Sequence, residues 1–176
     1  MPTYGLYLST LVHEFIGIYV RKLRNLTLED LKDNYTMNFI FNTISKTKTA
    51  KQITFEIVES EGIEEFQEVN NFIKNAKKLG CKITIDDFGT GYSNFEYTIK
   101  LDIDIIKIDG SLIKNIHLDK NLELTVETIV TFAKALNIKT VAEFVHNEEV
   151  YECVKNLGID YSQGYYLHEP EELILK

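Results

Sequence analysis

The sequence predicts an α/β fold built on a parallel β-sheet. Short runs of β-branched and aromatic residues alternate with longer segments whose apolar residues recur at helical spacing. Strands that alternate with helices in this way pair in parallel and are joined by right-handed crossovers. The length of 176 residues suits one domain. The pattern leaves two candidates, an open doubly wound sheet and a barrel.

The predicted strands are the runs richest in β-branched and aromatic residues. The clearest is Ile53–Val58, and an earlier candidate, Ile16–Val20, is interrupted by Gly17. Four more strands are predicted further along the chain, at Lys82–Asp87, Asp104–Asp109, Lys139–Val145 and Tyr161–Leu167.

The predicted helices lie between these strands. Thr27 is a suitable N-cap for a helix over Leu28–Ile44, and Gly80 suits the position just after the amphipathic segment Ile63–Leu79. The same spacing predicts a helix over Leu122–Leu136. Asn147 is the expected cap of a shorter helix that reaches Leu157.

Composition and charge narrow the classes of function. The formal net charge is −8, which argues against a face that binds nucleic-acid phosphates and fits either a carboxylate-lined metal site or an ordinary soluble surface. Cys81 and Cys153 form no CxxC pair, so a disulfide framework and a thiolate zinc site are excluded. No membrane-spanning run and no signal peptide are recognisable, and we therefore expect a cytoplasmic protein.

Polar side chains lie at or near the end of nearly every predicted strand. They are Glu56 and Glu59, Asp86 and Asp87, Lys107 and Asp109, Glu143, and Gln163. The carboxyl ends of parallel strands form the ligand site of such folds, so these side chains should converge in one cleft. Several carboxylates share a cleft only with a counter-charge, which Mg²⁺ or Mn²⁺ supplies. A pair of such ions activates water for phosphodiester hydrolysis, and Lys107 would neutralise charge on the nucleophile or the transferred phosphate.

Each of these residues also has a purely structural interpretation. Glu56 and the pair Lys107 and Asp109 fit the solvent face of a strand, and Asp86–Asp87 fits a turn before the glycine that follows. Glu143 follows an apolar run, where a charge is costly unless it is compensated. Chance explains the whole set of polar strand-end residues less readily than it explains any single one of them. Together, these residues predict a functional site.

Read in order, these segments resemble the EAL-domain family, the bacterial cyclic di-GMP phosphodiesterases. The most specific segment is Asp86-Asp87-Phe88-Gly89-Thr90-Gly91-Tyr92-Ser93. The accompanying segments occur in the family's order and are Asn25-Leu26-Thr27, Phe55-Glu56-Ile57-Val58-Glu59-Ser60, Ile106-Lys107-Ile108-Asp109, Val141-Ala142-Glu143 and Gln163-Gly164-Tyr165. The resemblance implies a TIM-like (β/α) barrel and hydrolysis of cyclic di-GMP to the linear dinucleotide pGpG in a signalling pathway.

The resemblance also implies roles for individual side chains. The implied metal ligands are Asn25, Glu56, Asp86 and Glu143, with Asp87 serving a second metal ion. Lys107 would assist at the water or the phosphate, and Gln163 would lie near the metal or the ligand. Glu59 would hold the Asp86–Ser93 loop, which in the family also takes part in dimer contacts.

Two features depart from the family pattern. The sequence contains no Glu-Ala-Leu triplet, whose Glu is a metal ligand on the family's first strand, and only Met1–Arg24 precede Asn25. We therefore expect one EAL-like domain over residues 1–176, with an atypical segment 1–24 and a barrel lacking its first strand, or else a fragment of a longer enzyme.

The missing Glu predicts weak or absent turnover, with Glu14 as the nearest substitute. The alternative function is a catalytically inactive module that binds cyclic di-GMP or a protein partner. Open strand edges and the apolar segment Tyr4–Phe15 predict self-association, such as a homodimer.

Overall fold

The protein is described by a computed structural model that covers residues 21–22, 31–59, 66–90 and 95–169. These residues form a six-stranded parallel sheet in which each strand pairs with the next one along the chain. The strands are β1 Arg21–Lys22, β2 Ile53–Val58, β3 Lys82–Phe88, β4 Ile105–Ile108, β5 Lys139–Ala142 and β6 Tyr161–Ser162. A doubly wound sheet reverses its strand order at a switch point, whereas this order runs in one direction, as in a (β/α) barrel. The predicted TIM-like fold class is confirmed, with the described strands forming part of a barrel.

Six α-helices accompany these strands in the described residues. They are α1 Asn34–Thr47, α2 Phe66–Leu79, α3 Phe95–Lys100, α4 Gly110–Ile113, α5 Lys120–Ala135 and α6 Glu148–Asn156. None of the helices in the described ranges has the length and apolar character that a bilayer span requires.

The two faces of the sheet differ in polarity because successive strand residues point to opposite sides. On the face that packs on the helices, Phe55, Ile83 and Ile106 have no exposed surface. Phe55 meets Phe72 of α2 edge to face, with ring centroids 5.0 Å apart. The other residues of the same strands, including Glu56, lie on the opposite face. The alternation therefore gives one apolar packing face and one polar face.

Two aspartates fasten the amino ends of the strands. Asp104, just before β4, accepts a hydrogen bond from the backbone N–H of Ile83 at 2.8 Å and pairs with Lys77 at 2.7 Å. Asp160, just before β6, accepts one from the backbone N–H of Thr140 at 2.9 Å. These contacts lie at the amino ends of the strands, away from the polar carboxyl ends, and they stabilise the sheet.

Two predicted strands end earlier than the sequence indicates. The strand predicted to reach Val145 ends at Ala142, because Phe144 has a left-handed backbone with φ +59°. The strand predicted to reach Leu167 ends at Ser162, because the chain turns at Gly164, whose carbonyl accepts a hydrogen bond from the N–H of Leu167 at 3.0 Å.

The predicted helix boundaries need smaller corrections. Within the predicted helix Leu28–Ile44, Leu31 and Lys32 are helical, Asp33 interrupts the helix, and α1 follows and continues three residues past Ile44 to Thr47. The Asp33 carboxylate caps α1 by accepting from the N–H groups of Tyr35 and Thr36. α5 begins at Lys120 because Asp119 caps it. The cap at Asn147 is confirmed. The predicted strand Ile16–Val20 and the predicted cap Thr27 lie outside the described residues.

Candidate active site at the carboxyl ends of the strands

Strand alternation brings the predicted site residues to one face of the sheet. Glu56 and Asp86 lie on alternate positions of β2 and β3, on the side opposite the apolar packing residues. In the β4–β5 register Lys107 lies beside Val141, so Glu143 projects from the same face two residues later. Val141 lies beside Tyr161, which gives Gln163 the same orientation next to Glu143.

The ammonium group of Lys107 lies at the centre of this polar face. Its Nζ is 2.6 Å from Asp86 Oδ1, 2.6 Å from Glu143 Oε1 and 4.0 Å from Glu56 Oε2. Lys107 is only 7% exposed. Burial alone would lower the pKa of Lys107, but the three surrounding carboxylates raise it above its ordinary value. Lys107 is therefore a fixed positive charge at neutral pH.

Asp87 completes the acidic cluster by means of an unusual backbone. Its φ is +56°, a left-handed conformation that Asp tolerates better than most residues. This backbone takes Asp87 out of the strand's alternation, and its carboxylate oxygen lies within 4.8 Å of oxygens from Asp86 and Glu143. Burial, together with the negative charges of Asp86 and Asp109, raises the pKa of Asp87.

Two hydrogen bonds support the cluster from outside. Gln163 Nε2 donates to Glu143 Oε1 at 2.6 Å, which fixes the orientation of that carboxylate. The backbone N–H of Gly89 donates to Glu59 Oε2 at 3.0 Å, which holds the segment that follows Asp87. The role of Glu59 in holding the Asp86–Ser93 loop, which the sequence resemblance implies, stays a prediction that this contact supports.

The donor chemistry of the cluster fits a hard divalent cation. Asp86, Asp87 and Glu143 offer oxygens that are mutually close enough to share an ion. Carboxylate oxygens are the ligands that Mg²⁺ and Mn²⁺ prefer. Burial raises the pKa of Glu143, and so do the charges of Asp86 and Asp87, while Lys107 opposes the shift. A cation bound to these oxygens would reduce the repulsion between carboxylates that raises the pKa of Glu143.

The structure excludes the solvent-face interpretation for two predicted site residues. Glu56 is 9% exposed and Lys107 is buried beside it. Asp86 lies inside β3 and not in a turn. Asp109 follows β4 and caps α4, because its carboxylate accepts a hydrogen bond from the N–H of Ser111. Asn25 lies outside the described residues.

Phe144 is not among the site residues that the sequence predicts. It follows Glu143 directly and is 52% exposed at this end of the sheet. The only signal in the sequence is an aromatic residue immediately after the acidic strand end, which is not distinctive by itself.

The fold and this cluster define a barrel-type α/β protein with a carboxylate-rich site at the carboxyl ends of its parallel strands. The family model for the EAL domain matches residues 18–170. The chain therefore belongs to the EAL domain family, as the sequence resemblance predicts.

Known proteins of this family are similar in both sequence and structure. Cyclic di-GMP phosphodiesterase PdeA of Borreliella burgdorferi is 36% identical over 158 residues, which cover 89% of this chain and 23% of that protein. The PaMucR phosphodiesterase in its c-di-GMP complex superposes with a TM-score of 0.78 at 28% identity, covering 85% of this chain and 61% of that one. The manganese and cy-diGMP complex of Klebsiella pneumoniae BlrP1 gives a TM-score of 0.77 at 27% identity, covering 85% of this chain and 38% of that one. The chain thus spans less than a quarter of the curated relative.

Proposed function

We propose that this chain is a cyclic di-GMP phosphodiesterase domain that hydrolyses cyclic di-GMP to pGpG with a divalent metal ion. The observation that carries the proposal is the convergence of Asp86, Asp87 and Glu143 around the buried Lys107. The names of the relatives support it, since the Borreliella protein is a cyclic di-GMP phosphodiesterase and the PaMucR phosphodiesterase is seen in a c-di-GMP complex.

The cluster residues would hold the metal. Asp86, Asp87 and Glu143 are the nearest set, with Glu56 beside them and Asn25 as a further proposed ligand. Mg²⁺ or Mn²⁺ bound there would lower the pKa of a water molecule and neutralise charge on a phosphate oxygen. The manganese complex of the Klebsiella protein supports a divalent ion in this fold.

The remaining residues act through charge and orientation. Lys107 holds a proton at Nζ and can donate it as a hydrogen bond to a phosphate oxygen or to the attacking water. Gln163 keeps the Glu143 carboxylate turned toward the cluster. Glu59 restrains Gly89 and thereby the position of Asp87 two residues earlier.

A second candidate is a module that binds cyclic di-GMP or a protein partner without hydrolysing it. The observation that favours it is the pair of 2.6 Å contacts from Lys107 to Asp86 and Glu143, which compensate these carboxylates without a divalent ion. The sequence also contains no Glu-Ala-Leu triplet.

Hydrolysis and binding measured together separate the two candidates. The purified chain is incubated with cyclic di-GMP and Mg²⁺, Mn²⁺ or EDTA, pGpG is quantified by chromatography, and a binding isotherm is recorded in parallel. We expect metal-dependent pGpG formation that is slower than about 1 s⁻¹ and is abolished in Asp86→Asn. Asp102→Asn is the matched control, because the Asp102 side chain is 69% exposed and forms a long ion pair with Lys77, at 3.4 Å, away from the cluster. Binding with no pGpG under any metal would favour the second candidate.

We further propose that residues 1–176 form one EAL-like domain, with an atypical segment 1–24, that associates with a second copy in the cytoplasm of a bacterial cell. The single sheet that runs from Arg21 to Ser162 supports one domain. The free thiols of Cys81 and Cys153 fit a reducing compartment.

A further inference from the structure

The mouth of the site carries an exposed aromatic residue in a strained backbone. Phe144, directly after Glu143, has a φ of +59° and is 52% exposed. Single exposed apolar side chains are common and need no explanation. A bulky residue held in the left-handed region is uncommon, because its Cβ crowds the backbone there. Strain of this kind persists where the surrounding structure fixes it, and such positions concentrate at ligand sites.

The surroundings of Phe144 fix where the ring lies. A Cβ atom placed on Gly110 would be 2.8 Å from Phe144 Cβ and 3.4 Å from its Cγ, so the ring can lie there only because residue 110 is glycine. Gly110 follows Asp109 at the end of β4, and the N–H of Glu143, directly before Phe144, donates to the carbonyl of Ile108 in β4 at 3.2 Å. The ring therefore lies between the ends of β4 and β5, next to the acidic cluster.

One cation and one imidazole ring lie beside the Phe144 ring. Lys114 Nζ lies 5.5 Å from the centroid of the Phe144 ring. The ring of His146 is tilted by 51° against Phe144, with the centroids 5.6 Å apart. Both Lys114 and His146 are exposed. The three side chains offer an aromatic surface and a cation to a ligand that enters the site.

We propose that Phe144, with His146 and Lys114 beside it, is a stacking subsite for one nucleobase of a cyclic purine dinucleotide. This proposal rests on the proposed function, because it places the base of the same ligand whose phosphate faces the cluster. A nucleobase presents a flat π-surface that stacks on an aromatic ring, and a neighbouring cation adds attraction. The left-handed backbone turns the ring toward solvent at the mouth instead of continuing the strand.

The chain contains no tryptophan, which makes a direct optical test possible. Phe144→Trp would be its only tryptophan, and base stacking quenches indole fluorescence. Cyclic di-GMP is mixed rapidly with this variant and fluorescence is read before turnover. Phe39→Trp is the control, because Phe39 is a 64% exposed aromatic on helix α1. Inorganic phosphate serves as the probe that carries charge but no base.

Phe144→Asn removes the ring and keeps a residue that tolerates the left-handed backbone, so the variant should fold. We expect a Kd or KM for cyclic di-GMP about tenfold higher than wild type, equal to about 1.4 kcal/mol, with kcat changed less. We also expect cyclic di-GMP to quench Phe144→Trp but not Phe39→Trp, and phosphate to quench neither.

The results separate this inference from the proposed function. Hydrolysis by the wild type with no quenching of Phe144→Trp, or with unchanged Kd and KM in Phe144→Asn, would overturn the subsite and leave the phosphodiesterase proposal standing. Saturable quenching without any pGpG formation would support the subsite and overturn the phosphodiesterase proposal.

Discussion

Lys107 is the residue on which the charge balance of the site depends. Four carboxylates, those of Glu56, Asp86, Asp87 and Glu143, lie on or beside one buried face. In the described part of the chain, Lys107 Nζ contacts Asp86 and Glu143 at 2.6 Å and lies 4.0 Å from Glu56. A buried charge that loses its partner is far more costly than an exposed one, because neither water nor a counter-ion replaces the lost contact. Lys107 therefore acts on stability as well as on chemistry.

Replacing Lys107 by methionine should destabilise the metal-free protein by about 3–5 kcal/mol. The cause is the repulsion among carboxylates that the ammonium group no longer compensates. Urea unfolding in EDTA measures the loss, and addition of Mg²⁺ or Mn²⁺ should recover part of it, because the ion supplies the missing positive charge.

Lys155→Met is the control for this substitution. Lys155 is exposed and pairs with Glu152 within one helix, at 3.0 Å, so its removal should change the unfolding free energy by less than about 0.5 kcal/mol. Equal effects of the two substitutions would contradict the central role assigned to Lys107.

Asp160 gives a prediction about acid stability. Burial alone would raise the pKa of Asp160, but hydrogen bonds from Lys139 and Thr140 hold it below its ordinary value. A carboxyl group with a depressed folded-state pKa stabilises the fold when ionised, and this contribution is lost as the pH falls through that pKa. Asp160→Asn should therefore cost about 1–2 kcal/mol at pH 7.

The difference in unfolding free energy between wild type and Asp160→Asn should shrink once the pH falls below about 4. Chemical denaturation at several pH values measures it. Glu152→Gln, which alters an exposed pair on α6, should show almost no difference at any pH. If the difference in unfolding free energy between wild type and Asp160→Asn stayed constant down to strongly acidic pH, the ionised carboxylate of Asp160 would make no contribution to stability.

At the scale of single residues, the sequence predicts which side chains converge but not how they are balanced. Glu56, Asp86, Lys107 and Glu143 are predictable because parallel strands with a period of two place their polar residues on one face. The left-handed backbones of Asp87 and Phe144 are not predictable, because nothing local demands φ +56° or +59° at a non-glycine residue. They depend on the packing of neighbouring strand ends.

Strand β6 shows how a short element positions a functional side chain. Only Tyr161–Ser162 pair as a strand, but the contacts continue beyond it, since Val145 N–H donates to the carbonyl of Gln163 at 3.0 Å. Gly164 then passes so close to Val145 that a Cβ atom there would lie 2.2 Å from the Val145 carbonyl oxygen. Residue 164 must therefore be glycine for Gln163 to reach Glu143.

Gly164→Ala should destabilise the protein by about 2–3 kcal/mol, because the added methyl group meets backbone that cannot move aside. The same change should weaken metal-dependent activity about tenfold or more, since Gln163 loses its place beside Glu143. Thermal unfolding and the pGpG assay measure the two effects.

Gly158→Ala is the matched control, because Gly158 also has a positive φ of +74°. An added Cβ there would meet only the flexible Nζ of Lys134, at 2.6 Å. Gly158→Ala should lower the free energy of unfolding by about 1 kcal/mol because of backbone strain, and it should leave activity unchanged. Full activity in a folded Gly164→Ala protein would refute the link between this turn and the site.

At the scale of elements, the predicted strands match β2 to β6 in order, and the bounds of β2 agree with the prediction, but β1 at Arg21–Lys22 is not predicted and the ends of β5 and β6 differ. Runs rich in β-branched and aromatic residues identify β2 to β6, because such residues favour strands. The predicted continuation of β5 to Val145 fails because the chain leaves the sheet at Phe144, and β6 stops at the approach to Gly164. The end of β5 depends on the contact of Phe144 with Gly110, and the end of β6 on the contact of Gly164 with Val145. Local sequence patterns do not predict contacts between segments this far apart in the chain.

The whole molecule presents a sheet with two ends rather than a closed ring within the described residues. β1 and β6 are the outer strands of the sheet in these ranges, and each has one partner there. Near the β6 end, Tyr165 is 71% exposed and Tyr166 is 42% exposed. Exposed strand edges with aromatic side chains recruit other chains unless they are covered.

Self-association is the expected consequence. Light scattering over a concentration series should show a mass that rises from the 20.4 kDa of one chain toward that of a dimer. Tyr165→Lys should shift the transition to higher protein concentration, because a charge at an exposed edge opposes the approach of a second strand. Tyr35→Lys on α1, at an aromatic that is 81% exposed, is the control and should leave the transition unchanged. A constant monomer mass up to tens of micromolar would refute self-association, and an equal shift in both variants would place the contact away from the β6 edge.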